Sequence, residues 1–266
     1  MTWLRLGAMV PDMTGRVENI YRYPVKGLSA EALDSVALAE GQALPNDRRF
    51  ALALGSTPYD QAKREWLPKT SFLMLMRNEK LATLVTRFDN ETESLSIFRG
   101  GKQVVRGKLT DRVGRSMIEE FFAAYMGAEA CGRPHVVEGS SGRVLSDTRS
   151  AVISLINLAS VRDMERVVGG PVDPLRFRGN IYFEAETPWV EFGWVKREIA
   201  VGGVRFSVVK RIERCAATNV NPETAGRDLN IPQALQRGYG HIDCGIYAKV
   251  TSAGTIAAGD HVVTPD

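Results

Sequence analysis

The chain has 266 residues, with 34 Lys and Arg against 31 Asp and Glu, a net charge of +3, 44% hydrophobic residues and 24% charged ones. That composition supports a buried core and excludes global disorder, and its charge balance speaks against a nucleic-acid binder, which carries a concentrated basic face. No apolar run approaches the ~20 residues of a membrane-spanning helix, so no membrane span is expected.

The opening stretch MTWLRLGAMVPDMTG has its apolar run broken by Arg5 and lacks a small-x-small cleavage site, so a cytoplasmic protein is expected. VENIYRYPVKG (17–27) predicts a strand running into a Pro24 break and a Gly27 turn. DRRFALALG (47–55) predicts a compact strand, and KLATLVTRF (80–88) and SLSIFRG (94–100) flank the polar turn DNETE. GKQVVRGKL (101–109) follows a Gly-Gly turn. Strands at this spacing predict an antiparallel sheet or barrel. From Asp111 to Gly127 the period becomes helical, with Met117, Phe121, Ala124 and Tyr125 at helical spacing and Gly127 as the stop.

CGRPHVVEGSSGRVLSD (131–147), rich in Gly and Ser, reads as the connection to a second half. NLASVRDMERVVGG (157–170) predicts a helix capped by Asn157 or Ser160, striped by Leu158, Val161 and Met164, and stopped at Gly169. FRGNIYFEA (177–185), REIAVGGVRFSVVKRIERC (197–215) and GIYAKVTSAGTIAAGDHVVT (245–264) alternate and turn on Gly-Gly or Ala-Gly pairs, as β-hairpins do. A short helix is expected at IPQALQRG (231–238). The fold class is therefore mainly β with a few helices, α+β.

Three cysteines, Cys131, Cys215 and Cys244, are too few and too scattered for a disulfide framework, a zinc ribbon or an ordinary iron–sulfur cluster. Three histidines without an HxxxH pattern argue against a histidine metal site. Cys215 ends a long strand pattern and opens the loop ATNVNPETAGRD, where a thiol reaches a ligand more readily than in a core. Nearby Arg214 and Arg211 favour a thiolate, the form that binds metals. The alternative for Cys215 is a small buried hydrophobe, and for Cys131 and Cys244 burial is the default.

The segment RCAATNVNPETAGRD resembles the signature of MOSC domains, with an Arg-Cys pair before a Thr-x-x-(Asp/Asn)-Pro loop at Arg214, Cys215, Thr218, Asn221 and Pro222. SDTRSAVISLINLAS, FRGNIYF and the tail CGIYAKVTSAGTIAAGD follow the same pattern in order. YRYPVKGLS and DRRFAL resemble the β-barrel domain that precedes MOSC in the mitochondrial amidoxime-reducing component and its bacterial relatives. The resemblance covers almost the whole chain. It implies an N-terminal β-barrel-like domain over 14–130 packed on a MOSC β-barrel domain over 131–266.

It further implies a molybdenum pyranopterin cofactor (Moco) in a cleft between the domains, with Cys215 as the metal ligand and catalytic residue, a soft thiolate beside the dithiolene sulfurs. Cofactor-binding positions carried over are Lys26, Arg49, Asp147, Thr148, Arg178, Asn180 and Arg214. Arg48 and Arg49 would point to opposite faces of a strand, and Arg49 is the one expected in the pocket. Without the resemblance Lys26 is a solvated loop lysine, Arg49 a surface ion pair, and Arg178 and Asn180 polar residues on one face of an edge strand. Gly27 stands where some relatives carry Ser. Trp189 and Trp194 either rim a substrate mouth or pack in the core. The implied function is reduction of N-oxygenated small molecules, amidoximes and hydroxylamines. Because the chain ends straight after its closing strand, a separate electron-donor protein is expected. The alternative is a molybdenum-cofactor-binding or sulfur-carrier protein without reductase turnover.

Overall fold

The computed structural model describes residues 12–59, 67–139 and 144–264. The start of the opening stretch and part of the Gly/Ser-rich connection lie outside the described residues. In chain order the elements are β1 (Asp12–Arg22), β2 (Glu31–Leu33), β3 (Ser35–Leu38), β4 (Phe50–Ala53), β5 (Val85–Asp89), β6 (Ser94–Arg99) and β7 (Lys102–Lys108). There follow α1 (Arg112–Met126), β8 (His135–Glu138), β9 (Ile153–Asn157), α2 (Leu158–Val168), β10 (Ile181–Glu184), β11 (Glu198–Val201) and β12 (Val204–Glu213). The chain closes with α3 (Ile231–Tyr239), β13 (Asp243–Ser252), β14 (Gly254–Ala257) and β15 (His261–Thr264). The protein is mainly β, as the residue pattern predicts.

Seven strands close into a barrel in the order β10-β9-β13-β12-β11-β15-β1, with β1 pairing back onto β10 and β2 appended to β1. Alternation drives this closure. Along β12 Val204, Phe206, Val208 and Ile212 are buried while Arg205, Lys210 and Arg211 face water. Inside lie Val17, Ile20, Leu155, Phe183, Val204, Phe206, Ile246 and Val262. Among the named strands of the described residues β9 and β10 alone pair in parallel, and α2 makes the crossover between them. Closure leaves the central sheet with few free edges.

The remaining N-terminal strands form a β5-β6-β7 meander and a β4–β8 pair around a second core with Phe50, Leu73, Leu95, Ile97, Ile118 and Phe122. The closed barrel is therefore built from β9–β13 and β15 together with β1 from the N-terminal end. Strand pairing also crosses the expected 130/131 division: β1 joins the barrel, β3 pairs with β14, and β8 joins β4.

Asp111 caps α1 by accepting from Gly114 N at 2.7 Å, and Gly127 ends it with positive φ. The buried stripe is Gly114, Ile118, Phe122 and Met126, while Met117 is exposed, so the stripe runs one residue later than the sequence predicts. The cause is a backbone contact. A Cβ on Gly114 would stand 2.2 Å from Lys108 O, so the helix touches β7 along the Gly114 line. Residues four and eight positions later then face inward. Segment 80–88 also differs: Glu79–Thr83 is a 3-10 turn, and the strand begins at Val85.

Candidate functional site

A cleft of about 1000 Å³, including its open mouth, lies between the barrel and the second core. Its walls carry six basic side chains, Lys26, Arg48, Lys69, Arg176, Arg178 and Arg214, against three acidic ones, Asp47, Asp147 and Glu213. Cys215 and Tyr247 share the same wall. A concave site with excess buried positive charge is built for an anion.

Lys26 follows the Pro24 break and is buried, donating to Leu145 O at 3.0 Å and Asp147 Oδ1 at 2.6 Å. Burial lowers the Lys26 pKa more than Asp147 restores it. Burial works against ionisation of Asp147 too, but the Lys26 ammonium outweighs it and holds the carboxyl below its usual range. Lys69 Nζ stands 4.0 Å from the other Asp147 oxygen.

Arg49 is not among the residues lining the cleft; its guanidinium pairs with Glu93 at 2.6 Å and Glu138 at 2.8 Å, and Arg48 is the one that lines the wall. Arg48 adopts a left-handed backbone conformation, φ 45°, just before β4, so strand alternation does not extend to it. Its guanidinium donates to Asp47 and to Arg178 O at 2.7 Å and lies over the Tyr23 ring. Burial opposes its charge, and Asp47 more than compensates.

Arg178 lies in no strand. It is the left-handed residue that closes the 3-10 turn Pro174–Phe177, ahead of β10. Its guanidinium stacks on Tyr23 at 4.2 Å, and its Nη2 is buried without a hydrogen-bond partner. Burial brings its pKa down to about 10, with Tyr23 opposing and Arg48 adding to the shift. A buried guanidinium with an unpaired nitrogen, flanked by another cation, is destabilised unless an anion binds there.

Asn180 and Arg214 line the cleft, yet their polar atoms are engaged with the fold. Asn180 Oδ1 accepts from Ser154 N and Oγ, and its Nδ2 donates to Tyr21 O. Arg214 donates to Cys244 O through two nitrogens and to Phe177 O at 3.0 Å. These bonds tie β12 and β13 to the 3-10 turn before Arg178. Thr148 is not among the residues lining the cleft; its hydroxyl donates to Ser150 O at 2.9 Å.

Cys215 sits just past the end of β12, half-buried, as the first residue of the 3-10 turn Ala216–Asn219. Its carbonyl accepts from Thr218 N at 3.1 Å and Thr218 Oγ1 at 2.9 Å. Asn221 Oδ1 accepts from Glu223 N and Thr224 N, folding the Asn-Pro loop on itself. Arg176 holds that loop through Asp228 and Asn219 O, leaving its buried Nε unpartnered. Arg227 bridges the halves, donating to Ala216 O and to Leu75 O, Met76 O and Glu79. Arg211 points away, over the Phe192 ring.

The other cysteines divide. Cys244 is buried and its thiol is pushed up to about 12, chiefly by desolvation. Cys131 is exposed, contrary to the buried default, because it is the left-handed residue closing a surface 3-10 turn. Neither tryptophan lines the cleft: Trp194 stacks on Phe183 in the barrel, and Trp189 donates its indole N–H to Asp163.

Sequence reasoning missed Arg48, Asp47, Lys69, Arg176 and Tyr247. For Tyr247 a signal existed: β13 alternates, and Tyr247 stands between the buried Ile246 and Ala248 with its side chain on the other face. Burial raises its pKa, so the phenol keeps its proton.

Residues 139–263 match the family model of the MOSC domain, starting directly after β8. No curated protein matches the chain significantly. Among solved structures, the chain is similar to the YuaD protein from Bacillus subtilis at 12% identity and a TM-score of 0.42, covering 94% of each chain. It is also similar to YiiM from Geobacillus stearothermophilus at 17% identity and a TM-score of 0.34, covering 43% of this chain and 54% of that one. Among the described residues, no helix is long and apolar enough to cross a membrane. The Arg-Cys pair at the end of a barrel strand lies inside residues 139–263, the part of the chain that is similar to the MOSC domain.

Proposed function

We propose that the cleft binds a molybdenum pyranopterin cofactor and that the protein reduces N-oxygenated small molecules there, with Cys215 as the protein ligand to the metal. The observation that carries this reading is the coincidence, in one cleft, of a half-buried thiol and a cation cluster whose Arg178 Nη2 lacks a partner. MOSC domains are associated with the molybdenum cofactor as a family. That cofactor carries a phosphate, which Lys26, Arg48 and Arg178 are placed to bind, and a soft metal that suits a thiolate. The N-terminal half, 14–130 by sequence, is read as the companion domain that supplies Lys26 and Arg48.

When bound, the cofactor supplies the two electrons that cleave an N–O bond. The chain's own residues then have three tasks. Arg178 and Arg48 neutralise the anionic end and, stacked on Tyr23, keep their planes aligned. Arg214 and Thr218 hold the Cys215 backbone so that its thiol stays at the strand end. Tyr247, whose phenol keeps its proton in the cleft, would supply one of the two protons that leave with the oxygen as water, the second coming from solvent at the open mouth, while Asp147, ionised beside Lys26, accepts hydrogen bonds and orients. Electrons come from a separate donor protein.

The test is metal content followed by turnover. Protein from a molybdenum-replete host should hold about one molybdenum per chain and reduce benzamidoxime with reduced viologen. The second reading, a cofactor or sulfur carrier, is favoured by the partial exposure of Cys215, which leaves room for persulfide exchange. Bound molybdenum without turnover on a panel of N-oxygenated substrates selects that reading. No molybdenum after reconstitution rejects both.

A further inference from the structure

Beside the cationic cleft lies a second, smaller depression of about 400 Å³, including its open mouth, with a different lining. Leu28, Leu81 and Leu84 form one wall, and Val220 and Pro222 of the loop after Cys215 form the other. The two cavities share Gly27, Leu75, Arg176, Arg178 and Ala217, so they meet along one edge. Ala217 belongs to the 3-10 turn that Cys215 opens, two residues from the thiol.

We infer that this annex is the binding site for the apolar substituent of a neutral aryl- or branched-alkyl-bearing substrate, whose polar reactive end reaches Cys215 across the shared edge. The substrate class rests on the reductase reading; the annex as an apolar ligand site does not.

Three features support the assignment. Aliphatic side chains form its two walls, with Ser29 and the two arginines at its margin, and an apolar group gains from leaving water against those walls. Arg176, at the edge, holds a buried Nε without a partner. Its N–H can donate to a neutral oxygen at the junction, and the guanidinium repels a cation. Arg227 sets the width, because it ties Ala216 to Leu75 and Met76 across the two walls.

The experiment fills the annex from each wall separately. Ala82→Phe fills it from the N-terminal side and Leu175→Trp from the barrel side; both positions are partly exposed, and both line the cavity. The first readout is binding of 4-fluorobenzamide, a neutral analogue that cannot be reduced, followed by fluorine NMR on the purified full chain. Binding to the wild type and an affinity at least about tenfold lower in whichever variant stays folded supports the annex. No binding to the wild type, or unchanged affinity in the folded variants, overturns it. The second readout is viologen-driven turnover of the cofactor-loaded protein with benzamidoxime and with hydroxylamine, which has no apolar substituent. A rise in KM for benzamidoxime alone, with hydroxylamine turnover kept, supports the substrate class, whereas an equal effect on both substrates overturns it. Turnover of neither substrate, with fluorobenzamide binding still lost on filling, removes the reductase reading and leaves the annex standing.

Discussion

Arg48 and Arg178 lie against the same aromatic ring, with their guanidinium carbons 4.7 and 4.2 Å from the centroid of Tyr23. The two arginines come from opposite halves of the protein, and Arg48 donates to the Arg178 carbonyl. Two like charges are thus held together in a buried site by a ring face, one carboxylate and a backbone acceptor. The arrangement stores repulsion that a bound anion relieves.

The first prediction follows from that arrangement. Arg48→Ala and Arg178→Ala should each weaken retention of the pterin cofactor, by about 1.5–3 kcal/mol or ten- to hundredfold for a hydrogen bond to a charged group. Arg49→Ala should leave retention unchanged and cost only stability, because Glu93 and Glu138 each lose one of their partners outside the cleft. Cofactor content after dialysis measures both. Loss in Arg49→Ala with full retention in Arg48→Ala would reverse the assignment.

The affinity for anions should fall on the alkaline side. Burial lowers the pKa of Lys26 and brings that of Arg178 down to about 10. An anion binds the protonated cations best, so the complex holds protons more tightly than the free protein, and affinity declines as pH rises through each free pKa. Unperturbed arginines titrate above about 12 and would show no such decline. Calorimetric titration with pyrophosphate should therefore give a flat affinity near neutrality and a decline toward pH 10, with circular dichroism confirming the fold. Constant affinity over that range argues against the buried cations as the receptor.

The thiols should separate by reactivity. In native protein Cys131, exposed, and Cys215, at the cleft, should react with iodoacetamide, while Cys244 should react only after unfolding, since burial holds its thiol near 12. Bound cofactor should protect Cys215 and not Cys131, as peptide mass spectrometry would read. Cys215→Ser should lose most turnover per bound pterin. Equal protection of Cys131, or wild-type turnover by Cys215→Ser, removes the ligand assignment.

Asn180→Ala should act on stability and leave anion affinity near wild type. Its side chain joins Ser154 to Tyr21 O, and removing it leaves buried groups unpaired at a cost of about 1–3 kcal/mol. Thermal unfolding measures the loss. A variant with unchanged Tm and much weaker pyrophosphate binding would make Asn180 a direct ligand contact instead.

Local signals in the chain were enough for the elements with caps and periodicity. Asp111 and Gly127 bracket α1, Asn157 and Gly169 bracket α2, and the strand that ends just before Cys215 was legible together with the loop after it. What tertiary structure decided was phase and partnership. Periodicity states which residues share a face but not which face is inward, and Gly114 against Lys108 set that for α1. Alternation stated that only one of Arg48 and Arg49 turns inward, but a left-handed residue at 48 chose which. Likewise no local signal tells that Arg214 and Asn180 bind backbone rather than ligand, or that β1 closes a barrel against β10 more than 150 residues later. These are long-range contacts, whose energy depends on where distant segments meet rather than on the residues beside them.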